Sequence, residues 1–145
     1  MRKKTIIATL VISIAAIIVA ACGGRGSGSG PSGNEKIIKS ATTGDMTVTL
    51  ASDTGELKNG ENDLILSFAD SSGKTVDVGA ASLKFHMPAM GAMAEMNDEA
   101  KLTTTAAPGK YRAKVNIEMA GTWEAVIDYQ GPKGTGQARM TVNAK

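Results

Sequence analysis

The chain has 145 residues, with 16 basic and 14 acidic side chains, a formal net charge of +2, and only two phenylalanines, two tyrosines and one tryptophan. No basic stripe is interleaved with aromatic residues, so a nucleic-acid partner has no electrostatic footprint here. A single cysteine excludes any disulfide within the chain, and a fold must therefore be held by its core.

Met1-Arg2-Lys3-Lys4 is a basic start, and residues 6–21 are almost wholly apolar. That layout is a secretory signal peptide, somewhat short for a spanning helix of about 20 residues. The run ends at Val19-Ala20-Ala21-Cys22-Gly23. Small residues directly before a cysteine resemble a bacterial lipobox, which implies cleavage before Cys22 and lipid attachment at that residue. Lipidation also accounts for an otherwise unpaired thiol in an exported chain. Loss of residues 1–21 removes Arg2, Lys3 and Lys4 from the 16 basic residues, leaving 13 against 14 acidic ones, a net charge of −1. Residues 23–33 read GGRGSGSGPSG, a flexible tether with nothing apolar to bury. The expected organisation is thus a leader over 1–21, a lipidated cysteine and tether over 22–43, and a folded domain over 44–145. The domain is expected in the bacterial cell envelope, outside the cytoplasm, held to a membrane through its lipid. Residues 34–44, polar and mixed, are read as an approach segment.

From Asp45 onward the dominant period is two. Met46, Val48 and Leu50 share a face; so do Leu64, Leu66 and Phe68, then Leu83, Phe85 and Met87 with Lys84 and His86 opposite. Residues 111–119 alternate throughout, and Trp123, Ala125, Ile127 and Tyr129 face away from Glu124 and Asp128, with Val126 the exception. Ala138, Met140 and Val142 close the series, and Thr-rich residues 101–106 form a weaker candidate. Such alternation marks half-buried strands. Asn59-Gly60, Ser72-Gly73, Pro108-Gly109, Ala120-Gly121 and Gly131-Pro132 supply the turns between them. Six or seven short strands at this spacing predict an all-β antiparallel sandwich. Its interior is expected to include Leu64, Leu66, Phe85, Val115, Ile117, Trp123 and Ile127.

The chemistry concentrates in Phe85-His86-Met87-Pro88-Ala89-Met90-Gly91-Ala92-Met93-Ala94-Glu95-Met96, which holds four of the eight methionines and the only histidine. Thioether sulfur is a soft, neutral donor that favours Cu(I) over zinc, magnesium or calcium. Met-rich surfaces also serve as adaptable apolar contacts for a protein partner, and methionines also fold back to close a core. The residues leave all three readings open. Met87, Met90, Met93 and Met96 recur every three residues. An α-helix would fan them over half its circumference; a threefold path, polyproline II or 3₁₀, would align them. Metal–sulfur bonds are about 2.3 Å, so a straight rod cannot bring all four sulfurs to one ion. Two or three can share one if Gly91 lets the chain curl. On a regular strand His86 points away from Met87; a bulge before Pro88 would bring both to one side. Met119 has an inward phase that favours packing, at a strand end within reach of the Met stretch.

Asp45-Met46-Thr47-Val48-Thr49-Leu50, Gly60-Glu61-Asn62-Asp63-Leu64, Asp70-Ser71-Ser72-Gly73-Lys74, Phe85-His86-Met87-Pro88-Ala89-Met90-Gly91, Pro108-Gly109-Lys110-Tyr111 and Met119-Ala120-Gly121-Thr122-Trp123-Glu124 follow in this order. The succession resembles the YtkA-like domain, a family related to the FixH group, over roughly residues 44–143. The resemblance implies an immunoglobulin-like β-sandwich, exported or membrane-tethered, associated with copper handling or cytochrome oxidase assembly. Met87 and Met90 match the shared motif, and Met93 and Met96 extend it. Where many relatives carry a histidine after the motif, this chain has Ala92.

No second histidine, Gly-rich phosphate loop or nucleophile–base pair supports an enzyme. The acidic residues of 53–56 and 97–99 are too sparse for a calcium loop. The expectation is an envelope lipoprotein whose Met-rich stretch binds Cu(I) through Met87, Met90, Met93, Met96 and His86, with a copper-handling or oxidase-assembly protein as partner. The alternative is an interaction module that docks the same stretch on a membrane protein or transporter.

Overall fold

The computed structural model describes residues 34–145; the leader, Cys22 and the tether as far as residue 33 lie outside them. Nine strands follow in order: β1 Lys36–Thr43, β2 Met46–Ser52, β3 Gly60–Asp70, β4 Ala80–Met87, β5 Met96–Glu99, β6 Lys101–Thr104, β7 Lys110–Ile117, β8 Gly121–Gly131 and β9 Gly134–Ala144. They form two sheets, β1-β2-β3-β7-β6 and β5-β4-β8-β9, and every ladder is antiparallel. The run β2-β3-β7-β6 facing β4-β8-β9 has the ABED and CFG order of a constant-type immunoglobulin domain. β1 is added outside β2, and β5 outside β4.

Alternation builds the core as expected. Val48, Leu50, Leu64, Leu66 and Phe68 from one sheet meet Leu83, Phe85, Trp123, Ala125 and Ile127 from the other, all with no exposed surface, and Val115 and Ile117 are buried with them. Phe68 takes Tyr111 edge-on at 5.8 Å between ring centroids and Tyr129 tilted at 5.3 Å. The Tyr111 hydroxyl is buried and donates to the Val78 carbonyl and to Asp77. With burial of its polar tip answered in this way, a tyrosine can stand at a core position.

Two strands go beyond the seven or so expected. Residues 36–43, taken from sequence as part of the approach to the domain, pair along β2 as β1. Its ladder shifts register between Ile37 and Lys39, and this bulge breaks the alternation that would have marked a strand. β5 is short and polar and is held by its pairing with β4. β5 and β6 are nearly one run: at Ala100, whose N–H donates to the Leu83 carbonyl at 2.9 Å, the chain passes from one sheet to the other.

The register sorts the loops into two poles. One gathers the turns at 44–45, 71–79, 105–109 and 132–133. The other gathers the loop 53–59, the connection 88–95, the loop 118–120, the start of β1 and the end of β9. At this second pole Asn62 closes the 53–59 loop: its side-chain oxygen accepts from Lys58 N–H at 2.8 Å, and its amide donates to the Lys58 and Gly60 carbonyls. The Met-rich stretch projects from here.

Candidate functional site

β4 and β5 pair Lys84 with Glu99, Phe85 with Asp98, His86 with Asn97 and Met87 with Met96. The same register, carried past the ladder, is met again at a bridge between Met90 and Met93. Their backbones exchange both hydrogen bonds, Met90 N–H to Met93 C=O at 3.1 Å and Met93 N–H to Met90 C=O at 3.0 Å. Only Gly91 and Ala92 remain as the turn. Gly91 has φ of +59°, the left-handed region a two-residue hairpin turn demands and glycine enters without steric cost. The stretch is therefore a β-hairpin, not a polyproline or 3₁₀ rod. A spacing of three about the centre of a two-residue turn is mirror-symmetric, and it stacks the four methionines as two cross-strand pairs.

The pairs differ in setting. Met87 is 2% exposed and belongs to the core, with Met96 half-buried against it. Met90 and Met93 stand 55% and 39% exposed at the tip. The odd separation of 87 from 90 along an alternating strand accounts for this opposition of faces. Residues directly opposed in a hydrogen-bonded pair have Cα atoms about 5.5 Å apart and side chains on one side of the hairpin. Met90 and Met93 thus present two sulfurs to the same volume of solvent.

His86 is not brought to the methionines. The register from Lys84 to Met87 runs without a shift, so the bulge that would turn His86 toward Met87 is absent from this segment. Its Nδ1 lies 2.9 Å from Asn97 Oδ1 on the outer face of the sheet, with Glu124 opposite on β8. Asn97 escaped the sequence reading; the mirror symmetry of the methionines about Gly91-Ala92 is the signal that pairs it with His86. Among the described residues no group of three His, Cys, Asp or Glu side chains is placed to hold a metal ion. The donors concentrated at this pole are thioethers.

The loop 118–120 runs beside the hairpin. Glu118 N–H donates to Asp98 Oδ2 at 3.4 Å, and the indole N–H of Trp123 donates to the Met119 carbonyl at 3.0 Å. Met119 is half-buried against the core. Gly121, with φ of +143°, has no Cβ; one placed there would lie 3.0 Å from the terminal methyl of Met87.

The hairpin and the Gly121-Thr122-Trp123 strand start both fall within residues 40–128, which match the YtkA-like family model. The chain belongs to the YtkA-like family. The matched part of this YtkA-like domain runs from within β1 to within β8. No curated protein matches the chain. Among solved structures, FetP of uropathogenic Escherichia coli resembles it at low level. A copper-bound glutamate-to-glutamine variant of FetP superposes with a TM-score of 0.45 at 8% identity, over 76% of this chain and 97% of that one. FetP as isolated, recombinantly expressed in the periplasm of E. coli, gives 0.42 at 10% identity, over 77% and 98%.

Proposed function

We propose that this YtkA-like domain is a Cu(I)-binding and delivery module of the cell envelope, and that it takes the ion at the hairpin tip between Met90 and Met93. The observation that carries this reading is the pairing of those two methionines: opposed across a two-residue turn, joined by both backbone hydrogen bonds, and exposed. Neutral thioethers offer no charge to offset a divalent ion, so the site selects the monovalent soft one. A tip in solvent suits exchange of cargo with a partner, which we take to be a copper-handling or oxidase-assembly protein. The basic start, apolar run and Ala21-Cys22 junction support attachment to a bacterial membrane through lipid on Cys22. Binding without catalysis is the role for which the side chains of the hairpin suffice.

The test is a Cu(I) titration of the whole chain in detergent against a competing chelator. Met90→Leu with Met93→Leu keeps the volume and removes the sulfur, and affinity at the tip should fall at least about tenfold, read as one Cu(I) fewer per chain. Binding by the unaltered chain should change little between about pH 5 and 8, because thioethers take up no proton there. Unchanged Cu(I) stoichiometry in the double variant refutes the tip assignment. No competition by the unaltered chain refutes the metal reading; the exposed Met90 and Met93 then serve docking on a membrane protein, which norleucine in place of methionine would leave intact.

A further inference from the structure

Five of the chain's eight methionines, Met87, Met90, Met93, Met96 and Met119, gather at one pole. Three of the five lie behind the tip. Met87 and Met96 are directly opposed across β4 and β5. Met119 is fixed from both sides: the residue before it bonds Asp98, on the same face of β5 as Met96, and Gly121 just after it abuts the terminal methyl of Met87. Its own carbonyl is tied to Trp123. The loop has little freedom to carry Met119 away from the hairpin.

We propose that Met87, Met96 and Met119 form a second, inner thioether site for Cu(I), distinct from the tip pair. The inference rests on the Cu(I) reading of the hairpin and deepens it. Three residues of extended chain separate the 87/96 pair from the 90/93 pair, about 10 Å. Because the two pairs also leave opposite faces of the hairpin, one ion is not shared between them. The two sites also differ in what they favour. The tip is open to a partner. The inner site is half-covered by the core, where a divalent ion among neutral donors loses more hydration than it regains, while three soft sulfurs suit Cu(I). Gly121 keeps open the space into which the Met87 terminus reaches. The tip exchanges the ion and the inner site retains it.

The whole chain in detergent, titrated anaerobically with Cu(I) against a chelator and examined by X-ray absorption at the copper edge, tests this. The unaltered chain should take two Cu(I) ions. Met90→Leu with Met93→Leu should take one, ligated by three sulfurs. Met119→Leu should keep the tip ion and weaken the inner one by at least about tenfold, with one sulfur fewer around it. Far-UV circular dichroism checks that each variant is folded, and Met96→Leu, read the same way, replaces Met119→Leu if the latter is not. If the Met119 or Met96 substitution leaves both stoichiometry and sulfur count unchanged in a folded chain, the inner site is refuted. If the tip double variant takes no Cu(I), the inner site is refuted and the tip site stands. If the unaltered chain takes none, both readings fall.

Discussion

Replacing Trp123 by phenylalanine separates two contributions that the structure joins in one side chain. The indole is fully buried and faces Val142 across the β8–β9 ladder, and its N–H donates to the Met119 carbonyl. Trp123→Ala removes the whole ring and should cost about 3–5 kcal/mol, as large-to-small substitutions in packed cores do. Trp123→Phe keeps most of the apolar body. It leaves a small cavity, costing on the order of 1 kcal/mol. It also strips the Met119 carbonyl of its donor, which costs about 1 kcal/mol, the low end, because Met119 is only half-buried and water can reach it. The sum is about 2 kcal/mol, a substantial share of the roughly 5–15 kcal/mol that holds a domain of this size together. Urea unfolding followed by far-UV circular dichroism reads it, since the only tryptophan is gone. With a slope of about 2 kcal/mol per molar urea, the midpoint should fall by about 1 M. The same substitution loosens the loop that carries Met119, so inner-site Cu(I) affinity should fall while the tip site is unaffected. A Trp123→Phe midpoint equal to that of the unaltered chain, or as low as that of Trp123→Ala, would show that this division of the energy is wrong.

Three further outcomes are expected. Burial first, and then the hydrogen bond and charge of Asp77, raise the pKa of Tyr111 above its ordinary value of 10.0; the folded state favours the neutral phenol, so that contribution is complete below about pH 10 and is lost as pH rises through the higher folded value. Unfolding midpoints measured across alkaline pH should therefore decline less steeply for Tyr111→Phe than for the unaltered chain, and parallel declines would count against it. Gly109→Ala forces a side chain onto φ of +73° with its Cβ 2.5 Å from the Val76 carbonyl oxygen, and should destabilise by at least about 1–3 kcal/mol; thermal melts at unchanged stability would contradict the close approach. Cys22→Ala should block lipid transfer and leave an unprocessed precursor, and mass spectrometry showing an unmodified Cys22 in the mature chain would overturn the anchor.

The sandwich was legible because burial on one face of a sheet writes itself as alternation. Leu64, Leu66, Phe85, Val115, Ile117, Trp123 and Ile127 all lie inside, as their phase requires. β1 was not legible, because the bulge after Ile37 shifts its phase midway and leaves Ile37 more than half exposed. β5 was not legible either, since Met96-Asn97-Asp98-Glu99 owes its extension to β4 rather than to any propensity of its own. At the site, the sequence showed where the methionines concentrate but not their arrangement. A period of three is ambiguous between a rod seen from one side and a hairpin folded about its centre. Gly91 decides between them, and only the cross-strand register shows that His86 belongs with Asn97 on the far face.

The change of sheet at Ala100 has a bearing on how copies of this domain coexist at high local concentration. Because the run from Met96 to Thr104 is divided there, each sheet ends on that side in a strand of only four residues. On the other side β1 carries a bulge together with Lys36 and Lys39, and β9, the eleven-residue border of the second sheet, runs on into backbone hydrogen bonds of Lys145 with Leu57 and Asn59. Short, charged or kinked borders of this kind deny a neighbouring chain the length of free backbone it needs to add itself as a further strand. Crowded on one surface, the domains are denied strand addition along β5, β6 and β1, and β9 alone of the described borders keeps a long run of backbone.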